Sequence, residues 1–200
     1  MGPMLRVLCC DLMGVVLYDP YVEALEAATG LDVAAAHRLK DPDAWPAFEV
    51  AAIGEPEFAR RFFASPGAAF DLDAFHRARR SGYRLLPGMG ELLDELGGTL
   101  ERHVASNYPV WIEELRVDFS LDRRFEGVWA SHHLGVRKPD PAFFERLLDR
   151  MGHEPAACLF TDDREVNCAA AQAAGMRAHL FDDATGLRRR LRAEGVAVSA

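Results

Sequence analysis

The chain has 200 residues, 50% of them hydrophobic and 27% charged, which fits a globular protein with one good core and a small second lobe and excludes a disordered or fibrous chain. Its formal net charge of -8 and isoelectric point near 5.4 exclude a broad electrostatic footprint for nucleic acid or an anionic membrane and favour a small-molecule partner. No apolar run nears the roughly 20 residues that span a bilayer, and the opening Met1-Gly2-Pro3-Met4-Leu5-Arg6 lacks a signal-peptide profile, so a cytoplasmic monomer or homodimer is expected.

In chain order, the first predicted element is a strand over Leu5 to Cys10, closed by Asp11 and followed by Leu12-Met13-Gly14-Val15-Val16. A carboxylate at the C-terminal end of a first strand, with a glycine turn behind it, sits where open α/β folds place their chemistry. Between Leu17 and about Leu85 the strand signals vanish. The text there is helical, with Trp45, Phe48, Phe58, Phe62, Phe63, Phe70 and Phe75, and it is too long for a loop inside a compact domain. An inserted helical lobe is predicted, with hinges near Leu17-Asp19 and Gly82-Leu86 and an aromatic core of its own.

Beyond the lobe, Pro87 to Leu96 reads as a helix with Met89, Leu92, Leu93 and Leu96 on one face. Strands follow at His103-Ser106 and Gly127-Ala130, then a helix from Pro141 to Met151 and a strand at Cys158-Thr161. An Ala-rich helix from Val166 to Ala174 ends at Gly175, a last strand covers Ala178-Phe181, and the basic run Arg188 to Arg192 reads as a C-terminal helix with a solvated face. This alternation predicts an α/β fold, a Rossmann-like parallel sheet flanked by helices, with a small helical cap inserted after the first strand. The core would comprise residues 1–16 and 86–200, and the cap residues 17–85.

The four cysteines Cys9, Cys10, Cys158 and Cys168 show no C-x-x-C spacing and read as buried free thiols. His132-His133, on an expected strand, would point to opposite faces and make a poor chelate. Glu49 and His37 read as solvated or capping residues, Trp111 and Trp129 as core, Tyr108 as a packing residue or a substrate contact, and Asn167 as a partner of the turn after Asp163.

Four segments fall where strands should end: Asp11 to Val15, Ser106-Asn107, Lys138-Pro139-Asp140-Pro141 and Thr161-Asp162-Asp163. In a parallel sheet three of them project from the same carboxyl edge, with the lysine reaching in from a following loop. Together they supply an attacking carboxylate, a hydroxyl and an amide for oxygen atoms, a cation, and an acidic pair suited to Mg²⁺ with a substrate phosphate. That set points to phosphoryl transfer on a small-molecule phosphate ester. Taken alone, Asp162-Asp163 also suits a helix N-cap and an acidic first turn.

On these residues the chain resembles the haloacid dehalogenase-like hydrolase superfamily over nearly its whole length. The matching segments are Cys10 to Val16, Ala105-Ser106-Asn107, Gly135 to Pro141, and Phe160-Thr161-Asp162-Asp163 with Asn167, Ala170 and Gly175-Met176. The helical insert, with Phe48-Glu49 and Ile53-Gly54-Glu55, is most similar to the branch of small sugar-phosphate phosphatases and the phosphatase domain of epoxide hydrolases. The resemblance implies that Asp11 attacks phosphorus to form an aspartyl phosphate, and that Mg²⁺ bridges Asp11, the Met13 carbonyl, and Asp162 or Asp163 or both. It implies that Ser106 and Asn107, with the Met13-Gly14 turn, bind the phosphoryl group, that Lys138 offsets its charge, and that the cap closes over the site.

Many phosphatases of this superfamily carry an aspartate where this chain has Met13, and a thioether transfers no proton, so a step worth about 10²–10⁴-fold lacks its usual residue. Another acid such as Glu49 or His37, an undemanding leaving group, or feeble catalysis each fits that replacement. Two alternatives to a phosphatase follow: a catalytically weak or inactive member acting as a binding or regulatory protein, and a metal-independent 2-haloacid dehalogenase.

Overall fold

The computed structural model describes residues 3–64 and 69–199. Residues 1–2 and 200 of the expected core and residues 65–68 of the expected cap lie outside them. Five strands among the described residues form one parallel sheet: β1 (Val7–Cys10), β2 (Glu101–Ser106), β3 (Gly127–Ala130), β4 (Cys158–Asp162) and β5 (Arg177–Leu180), in the order β3-β2-β1-β4-β5. The chain leaves β1 toward β2 and leaves β4 toward β5, so the topological switch lies between β1 and β4, where such sheets open a crevice at their carboxyl ends.

The lobe between β1 and β2 is built from α1 (Tyr21–Thr29), α2 (Val33–Leu39), α3 (Ala44–Glu49), α4 (Glu55–Arg61) and α5 (Leu72–Gly82). The sheet is flanked by α6 (Met89–Glu95), α7 (Ile112–Asp118), α8 (Ser131–Leu134), α9 (Pro141–Met151), α10 (Glu165–Ala173) and α11 (Ala184–Ala193). Local chemistry sets these bounds. In α9 the Asp140 side chain accepts from the Ala142 N–H, Pro141 opens the first turn, and Gly152 at φ 70° closes the helix in the left-handed region.

Every residue of β1 is buried, and its side chains alternate between two cores, as the period of two requires. Val7 and Cys9 join Phe143, Phe144 and Leu147 of α9 on one face, while Leu8 and Cys10 join Leu92, Leu93 and Leu115 on the other. The second core runs without a break into the lobe. Phe48 stacks on Phe58 with ring centroids 4.8 Å apart, and Trp111, from the sheet side, lies 4.9 Å from Phe48 and 5.5 Å from Phe75. The expected private aromatic core is therefore shared, because so short a helical segment buries too little apolar surface alone.

The two expected hinges lie side by side. Leu17 bridges Leu85, the Tyr18 N–H donates to the Arg84 carbonyl at 2.9 Å, and the Leu86 N–H donates to the Val16 carbonyl at 2.9 Å. One further expectation needs correcting: His132 and His133 lie on α8, not on a strand, where His133 accepts from the Ala130 N–H and faces Glu113. The chain turns into helix at once after Ala130, and periodicity over four residues does not reveal that.

Candidate active site

The parallel register carries Asp11, just beyond β1, to the same edge as the ends of β2 and β4. The Asp11 N–H donates to the Thr161 carbonyl at 2.9 Å, and its own Oδ1 accepts from the Leu12 N–H at 2.7 Å, which fixes the carboxylate over the strand end. Suitable oxygens of Asp11, Asp162 and Asp163 all lie within 4.8 Å of one another. The four segments therefore converge, although they are scattered across more than 150 positions of sequence.

Lys138 is 1% exposed, and its Nζ lies 2.6 Å from Asp162 Oδ2 and 3.1 Å from Asp11 Oδ1, while also donating to the Ala105 carbonyl at 2.8 Å. Burial alone would lower its pKa, but the charges of Asp11 and Asp162 outweigh it and the pKa is raised. Burial pushes Asp11 up to about 7, opposed by the Lys138 ammonium and abetted by Asp162. A neighbouring cation thus has a direct influence on whether Asp11 is ionised.

The acidic pair is split by its surroundings. Asp162 is fully buried, and both its oxygens are occupied: Oδ1 accepts from the Arg164 N–H and Asn167 Nδ2 at 2.9 Å each, and Oδ2 from Lys138 and Asn167. Asp163 is exposed at the cavity wall. Asn167, expected to bond the turn after Asp163, instead holds the Asp162 carboxylate. The helix-cap reading of the pair does not describe it, since the N-terminus of α10 has no side-chain cap.

Ser106 is buried with its hydroxyl unpartnered beside Asp11, whereas the Asn107 side chain is spent on the Lys138 backbone, donating to its carbonyl at 2.9 Å and accepting from its N–H at 2.7 Å. Asn107 thereby seats the lysine loop. Gly14 has φ +78°, and a Cβ there would meet Asp163 Oδ2 at 2.7 Å, so the turn both needs the left-handed region and leaves no room for a side chain.

A cavity of about 310 Å³ opens beside Asp11, between the lobe and the sheet edge, and it includes Met13, Tyr21, Trp45, Asn107 and Lys138 in its wall. Glu49 is not solvated, as expected from the sequence, but 4% exposed: it accepts from Trp45 Nε1 at 2.6 Å and lies 2.9 Å from Arg137 Nε. Its backbone carbonyl accepts from the Ser131 hydroxyl at 2.8 Å, so α3 of the lobe is tied to the sheet side. His37 is exposed on the cavity rim and shares a 3.1 Å hydrogen bond with the Tyr21 hydroxyl. Tyr108 is buried, with its hydroxyl bonded to that of Tyr83. Asp19, Lys40 and Tyr83 also line the cavity, and nothing in sequence spacing singled them out for that wall.

The set fits a hard divalent cation: its donors are carboxylate oxygens, they cluster tightly, and the backbone at Gly14 approaches Asp163 as only glycine allows. A haloacid dehalogenase-like hydrolase family profile matches residues 5–175. The chain is 35% identical to flavin mononucleotide hydrolase 1 of Arabidopsis thaliana, a chloroplast protein, over 98% of this chain and 80% of that one. A fructose-1-phosphate phosphatase of Escherichia coli is 36% identical over 33% of this chain and 35% of its own. In fold, a HAD family enzyme of Bacteroides thetaiotaomicron solved with magnesium and inorganic phosphate superposes with a TM-score of 0.73 at 20% identity, over 89% of this chain and 94% of that one. No described helix is long and apolar enough to cross a membrane. By the span of the profile match and by the Arabidopsis relative, matched over 98% of this chain, the chain belongs to the haloacid dehalogenase-like hydrolase family.

Proposed function

We propose that this hydrolase is a Mg²⁺-dependent phosphatase that cleaves a small phosphorylated metabolite through an aspartyl phosphate on Asp11. The observation that carries the reading is the convergence of Asp11, Asp162 and Asp163 within 4.8 Å, with the Lys138 ammonium 3.1 Å from the attacking carboxylate. Three carboxylates this close require positive charge to stay ionised, which counts against metal-independent dehalogenation. The phosphatase names of the relatives support the same reaction class.

In this reading Asp11, the Met13 carbonyl and Asp163 hold Mg²⁺, and Asp162, its oxygens taken by protein donors, orients Lys138 and supports the site from behind. Bound there, Mg²⁺ supplies charge neutralisation and polarises a phosphoryl oxygen. Asp11 attacks the phosphorus, Lys138 offsets the charge gathered around the transferring group, and the free Ser106 hydroxyl donates to a phosphoryl oxygen. Asn107 keeps the lysine loop in register and presents its remaining edge to the cavity. Residues 17–85 act as a cap over the cavity, pivoting on the paired hinge segments and closing by the Glu49–Arg137 contact.

The test is a panel of phosphate esters, including flavin mononucleotide, a sugar phosphate and an aryl phosphate, assayed with Mg²⁺ or with a chelator, beside Asp11→Asn. Metal-dependent turnover that vanishes in Asp11→Asn is expected. Undiminished turnover in that variant overturns the mechanism, and tight binding without turnover of any ester supports a regulatory protein instead.

A further inference from the structure

The reading above leaves the leaving alcohol without a proton donor, because Met13 lies where an acid is usual. The cavity itself narrows the choice of replacement. Among the described residues its lining carboxylates are Asp11, Asp19, Glu49 and Asp163. Asp11 and Asp163 are engaged as nucleophile and metal ligand. Glu49 is committed to Trp45 through one oxygen and to Arg137 through the other.

The remaining proton carriers on the wall suit the task poorly. Burial and the Lys40 charge keep His37 below the usual histidine range, so it is neutral near pH 7 and a weak acid there. Burial pushes the Tyr21 hydroxyl up to about 12, and burial also raises Tyr108 well above the usual tyrosine value.

Asp19 differs from all of these. It lies in the first hinge segment, next to Tyr18, whose N–H pairs with the Arg84 carbonyl of the second hinge segment. Its side chain is exposed toward the cavity, and Oδ1 accepts one hydrogen bond, from the Tyr21 N–H at 3.1 Å. No hydrogen bond to Oδ2 and no ion pair occurs among the described residues. Asp163 lies close enough for its charge to act on Asp19. Partial desolvation among the cavity walls, opposed by the Tyr21 N–H and helped by the charges of Asp163 and Glu23, pushes Asp19 up to about 6, and its own charge in turn raises Tyr21, Tyr83 and Tyr108. A free carboxyl poised near neutrality on the wall of the cavity that Asp11 also lines matches what general acid catalysis requires.

We propose that Asp19, from the hinge between sheet and cap, is the catalytic acid and base that takes over the step Met13 cannot perform. This rests on the phosphatase reading. As Asp11 bonds to phosphorus, the phosphorus–ester oxygen bond breaks, its electron pair stays on that oxygen, and the Asp19 proton moves to it to give the alcohol. The Asp19 carboxylate then removes a proton from water as the water oxygen bonds to phosphorus. The bond from phosphorus to Asp11 breaks, and inorganic phosphate leaves with both aspartates restored. The sum is ester plus water giving alcohol plus phosphate.

The bland role of Asp19 is to start α1 by accepting the Tyr21 N–H. Asparagine accepts that bond equally well, so Asp19→Asn separates the roles. In rapid-quench assays with Mg²⁺, Asp19→Asn is expected to lose about 10²-fold or more on an alkyl phosphate. On nitrophenyl phosphate it is expected to keep a stoichiometric burst of nitrophenol followed by a slowed steady state. Asp19→Glu should recover part of the alkyl phosphate rate. Unchanged alkyl phosphate turnover in Asp19→Asn, or Asn and Glu variants slowed equally, overturns the assignment. Those outcomes leave the phosphatase reading standing if Asp11→Asn is inactive, whereas turnover in Asp11→Asn overturns that reading itself.

Discussion

Lys138 Nζ sits 2.6 Å from Asp162 Oδ2, with both side chains shut off from solvent, and the same ammonium reaches Asp11 at 3.1 Å. Two buried carboxylates thus share one cation, and Asp162 also fixes the position of the ammonium beside Asp11. Removing one member leaves the other buried and uncompensated.

Lys138→Met is therefore expected to cost about 3–5 kcal/mol of stability and to abolish turnover. Urea titration of the variant, run beside Asn167→Ala, checks this. Asn167→Ala removes two hydrogen bonds from Asp162 but no charge, and should cost roughly 1–3 kcal/mol. A Lys138→Met loss no larger than that of Asn167→Ala contradicts the shared-cation arrangement.

Gly14→Ala tests the turn. At φ +78° an alanine pays about 1–2 kcal/mol for its conformation, and its Cβ meets Asp163 Oδ2 at 2.7 Å, so that carboxylate must move. Calorimetry should show weaker Mg²⁺ binding alongside a lower melting temperature. Unaltered metal affinity would separate Asp163 from the cation.

Met13→Asp restores an acid at the usual position. If proton transfer to the leaving group limits the rate, the variant should gain more on alkyl than on aryl phosphates, and the gain should be larger in an Asp19→Asn background. Equal gains on both ester types and in both backgrounds would mean that neither residue governs this step.

The thiols provide a control independent of catalysis. All four cysteines are buried and free, and burial pushes Cys158 and Cys168 up to about 11. A raised pKa keeps a thiol protonated and unreactive at every lower pH, so a disulfide reagent at pH 7 to 8 should label none of them in the native state and four after unfolding. Rapid native labelling would contradict the packing of β1, β4 and α10.

Most of the architecture was legible because apolar β-runs and helical spacing report burial directly. Gly127–Ala130 and Pro141–Met151 have the bounds their patterns predict, and the other strands shift by one or two residues, as frayed ends do. That Asp11, Lys138 and the acidic pair come together was legible because each closes or follows an apolar run. What stayed hidden depends on tertiary approach. Glu49 reads as a surface acid until Trp45 and Arg137 close around it, and Trp111 reads as ordinary core until it enters the lobe's aromatic cluster. Asp19 reads as a hinge residue, since nothing local reveals that the helical lobe folds back to make it a wall of the cavity.

The central claim is that Asp11 carries the phosphoryl group. Enzyme quenched in acid during turnover and digested should yield the peptide containing Asp11 with one added phosphoryl group, removable by hydroxylamine and absent from Asp11→Asn. A phosphorylated residue elsewhere, or steady turnover by Asp11→Asn with no phosphorylated peptide in either protein, would contradict it.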